Sequence, residues 1–199
     1  TQIPKVFLDT SSLVSPDELN GDLLLMESRN SVRNITAHLL EKGCTLPGFM
    51  GDIGYAQSNR ERYEGFCQAL MDAGKTPNPS LCLTTPLGID SYREEIDSFL
   101  SSLSRMPDAF VCASDYVACI LMQLLEKRGL RVPEDVAVSG FDNNIEDLLA
   151  ENLTTVQVFN EELGSRLALQ ILYRIKYPHT PHEVTYLESK VLYRASTGD

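Results

Sequence analysis

At 199 residues with 43% hydrophobic content, the chain can bury a real core in one domain or one domain plus part of another, and its composition is not that of a disordered segment. Its 17 basic against 28 acidic residues give a formal net charge of −11, which repels nucleic acid and anionic membrane surfaces at long range; DNA contact would have to come from residues outside this chain. Cys44, Cys67, Cys82, Cys112 and Cys119 form an odd set with no C-x-x-C pair, which suits a reducing cytosol better than a disulfide scaffold. Residues 1–8 hold no long apolar run with a cleavage site, so neither a signal peptide nor a membrane span is expected.

Apolar runs alternate with helical periodicity along the chain, the pattern of a parallel sheet covered on both faces, so the expected class is α/β. Val6-Phe7-Leu8 reads as a strand ending at Asp9, and Leu23-Leu24-Leu25-Met26 as a second. Val32, Ile35, Leu39 and Leu40 share one helical face, stopped by Gly43. Phe49-Met50 leads into the Gly51 and Gly54 turn region, and Ser58-x-x-Glu61 has the form of a capping box for a helix burying Tyr63, Phe66, Cys67, Leu70 and Met71. Leu81-Cys82-Leu83 is a short strand, Ser91-x-x-Glu94 opens a helix with Ile96, Phe99, Leu100 and Leu103 inward, and Ala109 to Ala113 is a continuous buried strand. Val117, Ile120, Leu121, Leu124 and Leu125 mark the next helix, ended by Gly129, and Val136 to Val138 is another strand. After Thr154 to Phe159, a last amphipathic helix turns Leu163, Leu167, Ile171, Leu172 and Ile175 inward before Pro178 forbids continuation; Val184 to Leu187 and Val191 to Tyr193 close the chain as strands.

In open parallel sheets, ligands bind beyond the carboxyl ends of the strands, where loops converge and helix N-termini offer N–H donors. The first polar residues after the strands are Asp9, the Gly51-Asp52 turn, Ser114-Asp115 and Asp142-Asn143, with Arg62 placed in the first turn of the helix after Gly51. Carboxylates, one guanidinium and small polar groups at one sheet edge suit a neutral polyol, whose hydroxyls donate to the acids and accept from the arginine. Each residue has a plainer reading. Ser114 and Asp115 are candidate helix caps, Asp142 could cap a short helix around 145–149, Asp9 could be a solvated turn residue, and Arg62 could lie on an exposed charged face.

The stretch from Pro107-Asp108-Ala109-Phe110-Val111-Cys112-Ala113-Ser114-Asp115 through Val132-Pro133-Glu134-Asp135-Val136-Ala137-Val138-Ser139-Gly140-Phe141-Asp142 strongly resembles the cores of the lac repressor/gal repressor (LacI/GalR) family of bacterial transcription regulators. Leu153-Thr154-Thr155-Val156 and Glu162-Leu163-Gly164 continue it in order, and Phe7-Leu8-Asp9, His38 to Gly43 and Arg62-x-x-Gly65-Phe66 fall in place upstream. The resemblance implies a periplasmic-binding-protein-like (type I) clamshell that binds a small effector, a sugar or related polyol before a purine, needs no cofactor or metal and catalyses nothing. Carried over residue by residue, it implies effector contacts from Arg62 and Asp142, from Ser114 and Asp9, from Asp115 beside the cleft and from Asn160 at the crossover. It further implies a cytoplasmic homodimer that reaches operator DNA only through an N-terminal domain outside this sequence, with no membrane partner. On this reading 1–25 belong to the N-terminal lobe, 26–159 form the C-terminal lobe, 160–182 add a helix to the N-terminal lobe, and 183–199 return to the C-terminal one. Asn160, Glu27 in place of a common Asp, and Pro47 interrupting a strand are departures from the pattern.

The nearest alternative is an extracytoplasmic sugar-binding protein of a transporter or chemotaxis system. An enzyme is the more distant one. His179-x-x-His182 lies between Pro178 and Pro181 in a surface turn, the glycines of residues 48–54 lack the G-x-G-x-x-G order, and no P-loop lysine is present.

Overall fold

The computed structural model describes residues 3–88, 90–144 and 151–199. Fourteen labelled elements follow in chain order: β1 (Val6–Leu8), β2 (Asp22–Met26), α1 (Arg29–Glu41), β3 (Pro47–Met50), α2 (Gln57–Asp72), β4 (Cys82–Leu83), α3 (Tyr92–Ser102), β5 (Ala109–Cys112), α4 (Asp115–Lys127), β6 (Ala137–Ser139), β7 (Thr155–Gln157), α5 (Asn160–Lys176), β8 (Val184–Leu187) and β9 (Lys190–Leu192). They build two parallel sheets, β1-β2-β8 and β4-β3-β5-β6, and an antiparallel β7-β9 ribbon. From β2 to β6 strand and helix alternate, as the α/β reading expects.

The alternation of side chains along β5 explains the larger sheet. Phe110 and Cys112 point to one face, where Ile96 and Leu100 of α3 and Leu121 and Leu125 of α4 cover them. Ala109, Val111 and Ala113 point to the other, against Val32, Ile35 and Leu39 of α1 and Phe66 and Leu70 of α2. A strand buried on both faces has no polar alternation to show, which is why its sequence is a continuous apolar run. Helices α1 and α2 lie close because Gly65 has no side chain: a Cβ there would collide with the Arg29 carbonyl and the Arg33 amide.

Several expectations change. Val184–Leu187 do not return to the larger sheet: β8 pairs with β2, Leu23 beside Val184 and Met26 beside Leu187, and only from Lys190 does the chain join β7. The tail is divided because its first half completes the row of N–H and C=O groups along β2. In α5 the buried face carries Leu163, Gln170 and Arg174, while Leu172 and Ile175 are exposed; Met71 of α2 is exposed as well. Pro47 opens β3, where the lost N–H is tolerated, and so does not interrupt the strand. Ser58-x-x-Glu61 is not a capping box, since α2 begins at Gln57 and the Ser58 hydroxyl donates to Asp9. At α3, Ser91 is the N-cap residue but its hydroxyl pairs with Glu95 instead of Glu94. Glu27, read as a departure, caps α1 by accepting from the Asn30 and Ser31 amides at 2.6 and 3.1 Å.

Candidate functional site

The carboxyl ends of β3, β5 and β6 converge on Arg62. Its position in the second turn of α2, one turn later than the sequence suggested, carries the side chain over the end of β5, where it is buried and donates to the Ala113 carbonyl. The guanidinium carbon lies 3.6 Å from the centroid of the Phe141 ring, Nη1 donates to Asn59 Oδ1 at 3.3 Å, and Nη2 is 3.8 Å from Asp142 Oδ1. Nε has no partner. A buried guanidinium with an unmet N–H is costly in a finished core, and it is the kind of group a ligand oxygen satisfies.

Asp142 leaves β6 with φ 117°, a conformation that non-glycine residues seldom adopt, and Asn143 follows at φ 50°. The turn is held from outside: Asp115 accepts from the Asn143 amide at 2.7 Å and from the Thr155 hydroxyl at 2.5 Å, while Asn143 bonds Gln157 at 2.5 Å and Arg194 at 2.8 Å. Gly140 permits this, because a Cβ there would run into the Asp115 carboxylate. Asp115 is therefore committed to the turn, and Ser114 caps α4 by accepting from the Val117 amide at 3.3 Å. The suggested helix around 145–149 lies outside the described residues.

Asp9 comes from the other sheet, at φ 57° beyond β1. Its Oδ2 accepts from the Ser58 hydroxyl at 2.5 Å and its Oδ1 from the Thr10 amide at 2.7 Å, so it bridges to the start of α2. The Gln57 amide donates to Thr10 O at 2.8 Å, Ser12 Oγ to Gly54 O at 3.0 Å, and the Tyr186 hydroxyl on β8 to buried Glu61 at 2.8 Å. Asn160 opens α5 and is exposed; among the described residues no hydrogen bond joins it to the other five. The structure thus gathers Arg62, Asp142 and Asp115 at one point, with Asp9 and Ser114 bordering it.

The electrostatics follow from burial. Desolvation lowers the Arg62 pKa, against the pull of Asp142, Asp9, Asp115 and Glu61. Burial pushes the Asp142 carboxyl up to about 6, with Arg62 opposing and Asp115 adding to the rise. Asp115 is raised by burial against its bonds from Thr155 and Asn143. One cation among several carboxylates favours a neutral, hydroxyl-rich guest over an anion. Ser58, Asn59 and Phe141 belong to the site yet carried no signal of it: Ser58 looked like a cap, and Phe141 like one more apolar strand residue. Among the described residues no three His, Cys, Asp or Glu side chains assemble into a metal site, and no helix is long and apolar enough to cross a membrane. His179 and His182 line a separate hollow of about 450 Å³ with Lys5 and Asn20, at the opposite ends of β1 and β2.

A profile of the periplasmic binding protein-like domain matches residues 36–197. The HTH-type transcriptional repressor PurR of Aliivibrio salmonicida is 28% identical over 198 residues, which cover 98% of this chain and 58% of that protein. The chain spans little more than half the length of this curated relative. A solved structure described as a transcriptional regulator of the LacI family from Sanguibacter keddieii superposes with TM-score 0.84 at 26% identity, covering 98% of this chain and 72% of that one. A LacI family transcriptional regulator from Enterococcus faecium, with bound ribose, superposes with TM-score 0.77 at 25% identity over 97% of this chain and 70% of that one.

Proposed function

Since the chain belongs to the periplasmic binding protein-like domain family and fits the effector-binding core of LacI/GalR regulators, we propose that it binds a small polyhydroxylated effector at the cleft between its two sheets and passes the occupancy of that cleft to a DNA-binding domain of a cytoplasmic, dimeric regulator. It carries out no reaction. The observation that carries this reading is Arg62: buried, stacked on Phe141, 3.8 Å from Asp142 and left with an unpaired Nε. A sugar hydroxyl that accepts from the guanidinium and donates to Asp142 meets both groups at once. Asp9 and Ser114 flank that position, Asp115 sets its floor, and Asn160 adds a contact from the crossover when the two sheets close on a ligand. The ribose bound to the Enterococcus faecium relative supports a sugar over a purine. The odd set of five cysteines with no C-x-x-C pair and kinship with a transcriptional repressor support a regulator over an extracytoplasmic solute-binding protein.

Titration calorimetry with D-ribose, D-glucose, D-galactose and their common oligomers, alongside adenine and guanine, tests the site. Arg62→Ala and Asp142→Ala should each weaken binding of the accepted ligand by roughly tenfold to a few hundredfold, since a hydrogen bond to a charged group contributes about 1.5–3 kcal/mol. Circular dichroism and thermal melts check that each variant is folded. Near-normal affinity in both folded variants would remove the site from this cleft.

A further inference from the structure

The edge of the larger sheet that carries Arg62 and Asp142 continues toward β3 and β4, and its character changes there from polar to aromatic. Tyr55 stands in the turn after β3 and is 77% exposed; Tyr116, in the first turn of α4 beside Ser114, is 54% exposed. Tyr92 opens α3 after β4 and rests partly on the core formed by α3, α4 and β5. The Tyr92 and Tyr116 rings meet edge to face at 5.6 Å and 89°. Asp52 and Tyr55 are near enough to act on the Tyr92 hydroxyl, which burial first and then these neighbours push upward. Asp52 is turned by accepting from the Gly54 amide at 2.7 Å through Oδ1, which leaves Oδ2 for a further donor. Three of the chain's eight tyrosines, in a protein without tryptophan, therefore gather on one rim.

We propose that Tyr55, Tyr92 and Tyr116, with Asp52, form a second subsite continuous with the Arg62 and Asp142 cleft, which holds the outer ring of a saccharide of two or more units. The inference rests on the reading of that cleft as a sugar site and names the size of its ligand. The C–H faces of a sugar ring pack against flat aromatic faces, and tyrosine supplies that area with little rotamer entropy to lose and a hydroxyl for the ring's edge. In the order β4-β3-β5-β6, the span from Asp142 beyond β6 to Tyr92 beyond β4 crosses three strand spacings, about 14 Å at about 4.8 Å each, which is longer than one ring can cover. Asp52 repeats at the outer end the acceptor that Asp142 provides at the inner one.

The test is calorimetry, read in parallel by tyrosine fluorescence, with glucose, maltose, maltotriose, cellobiose and cellotriose, with galactose and lactose, and with xylose and xylobiose. At least one disaccharide should bind about tenfold or more tightly than its component monosaccharide. Tyr55→Ala and Tyr116→Ala should each lower that affinity about tenfold while leaving the monosaccharide unchanged, and Tyr116→Phe should keep most of it. Equal affinity for monomer and oligomer, or tyrosine variants without effect while Asp142→Ala still abolishes binding, overturns the subsite and leaves the cleft standing. Sugar binding indifferent to both Arg62→Ala and Asp142→Ala, or no binding in any series, overturns the cleft and the subsite together.

Discussion

Asp142 bears two local costs, a backbone at φ 117° and a carboxyl whose burial lifts it to about 6. Groups held this way persist where their surroundings over-determine them, as Asp115, Gly140 and Asn143 do here. The sign of the pH dependence follows. A carboxyl raised above its usual value favours folding while protonated, so its contribution is complete below pH 3.8 and is lost as pH rises through about 6. Asp142→Asn should therefore be more stable than the parent at pH 7, on the order of 1–2 kcal/mol, with the difference vanishing near pH 4 in urea unfolding. Ligand affinity should run the other way. A neutral sugar that donates to ionised Asp142 should bind more weakly as pH falls through about 6, approaching tenfold per unit, and Asp142→Asn should abolish that slope in calorimetry. A slope retained by the variant would assign the titration to another group.

Among the elements, α5 separates composition from packing. Its buried polar residues exist for Asp22, which lies within β2 and accepts from Gln170 at 2.7 Å, from Arg174 through both oxygens, and from the Glu183 amide at 2.9 Å. These bonds outweigh burial and hold the Asp22 carboxyl below its usual range, so the stability they contribute is present above pH 3.8 and lost as pH falls below it. Arg174→Met leaves a buried carboxylate unpaired and should cost about 3–5 kcal/mol. Leu163→Ala should cost about 2–5 kcal/mol, whereas Leu172→Lys should stay within about 0.5 kcal/mol, although sequence periodicity gave both leucines the same inward role. Chemical denaturation of the three variants checks the assignment; a large loss for Leu172→Lys would restore the original stripe. The strands were legible because runs such as Ala109 to Ala113 are buried on both faces, and the polar residues at their ends located Asp115 and Asp142, while Arg62 was read one turn early on the helix that follows β3. The true face of α5 was not legible, since Asp22 sits far away in sequence and no local pattern announces it. Asn160 entered through resemblance alone, and Asn59 and Phe141 acquire their roles only from where Arg62 lands.

At the scale of the whole molecule, contacts across the cleft join the two sheets. Asp9 reaches Ser58, Thr10 accepts from Gln57, and Tyr186 donates to Glu61, so the start of α2 is held by both β1 and β8 of the opposite sheet. Removing two of these bonds in Ser58→Ala/Tyr186→Phe should cost about 1–3 kcal/mol for each, and small-angle scattering should show a larger radius of gyration without ligand than in the parent. An unchanged radius would mean that the crossing segments alone fix the arrangement.

Those crossings also bear on how the chain reaches this shape. In the smaller sheet, Leu23 pairs with Val184, so its central strand gains one neighbour early in the sequence and the other only near the end. Loop closure over such a distance is entropically expensive and comes late, while the β3 to β6 sheet draws on nearer neighbours. During synthesis, the edge of β2 that β8 covers must wait until Val184 to Leu187 have left the ribosome, and that interval is when this sheet is most exposed to aggregation and most dependent on chaperones.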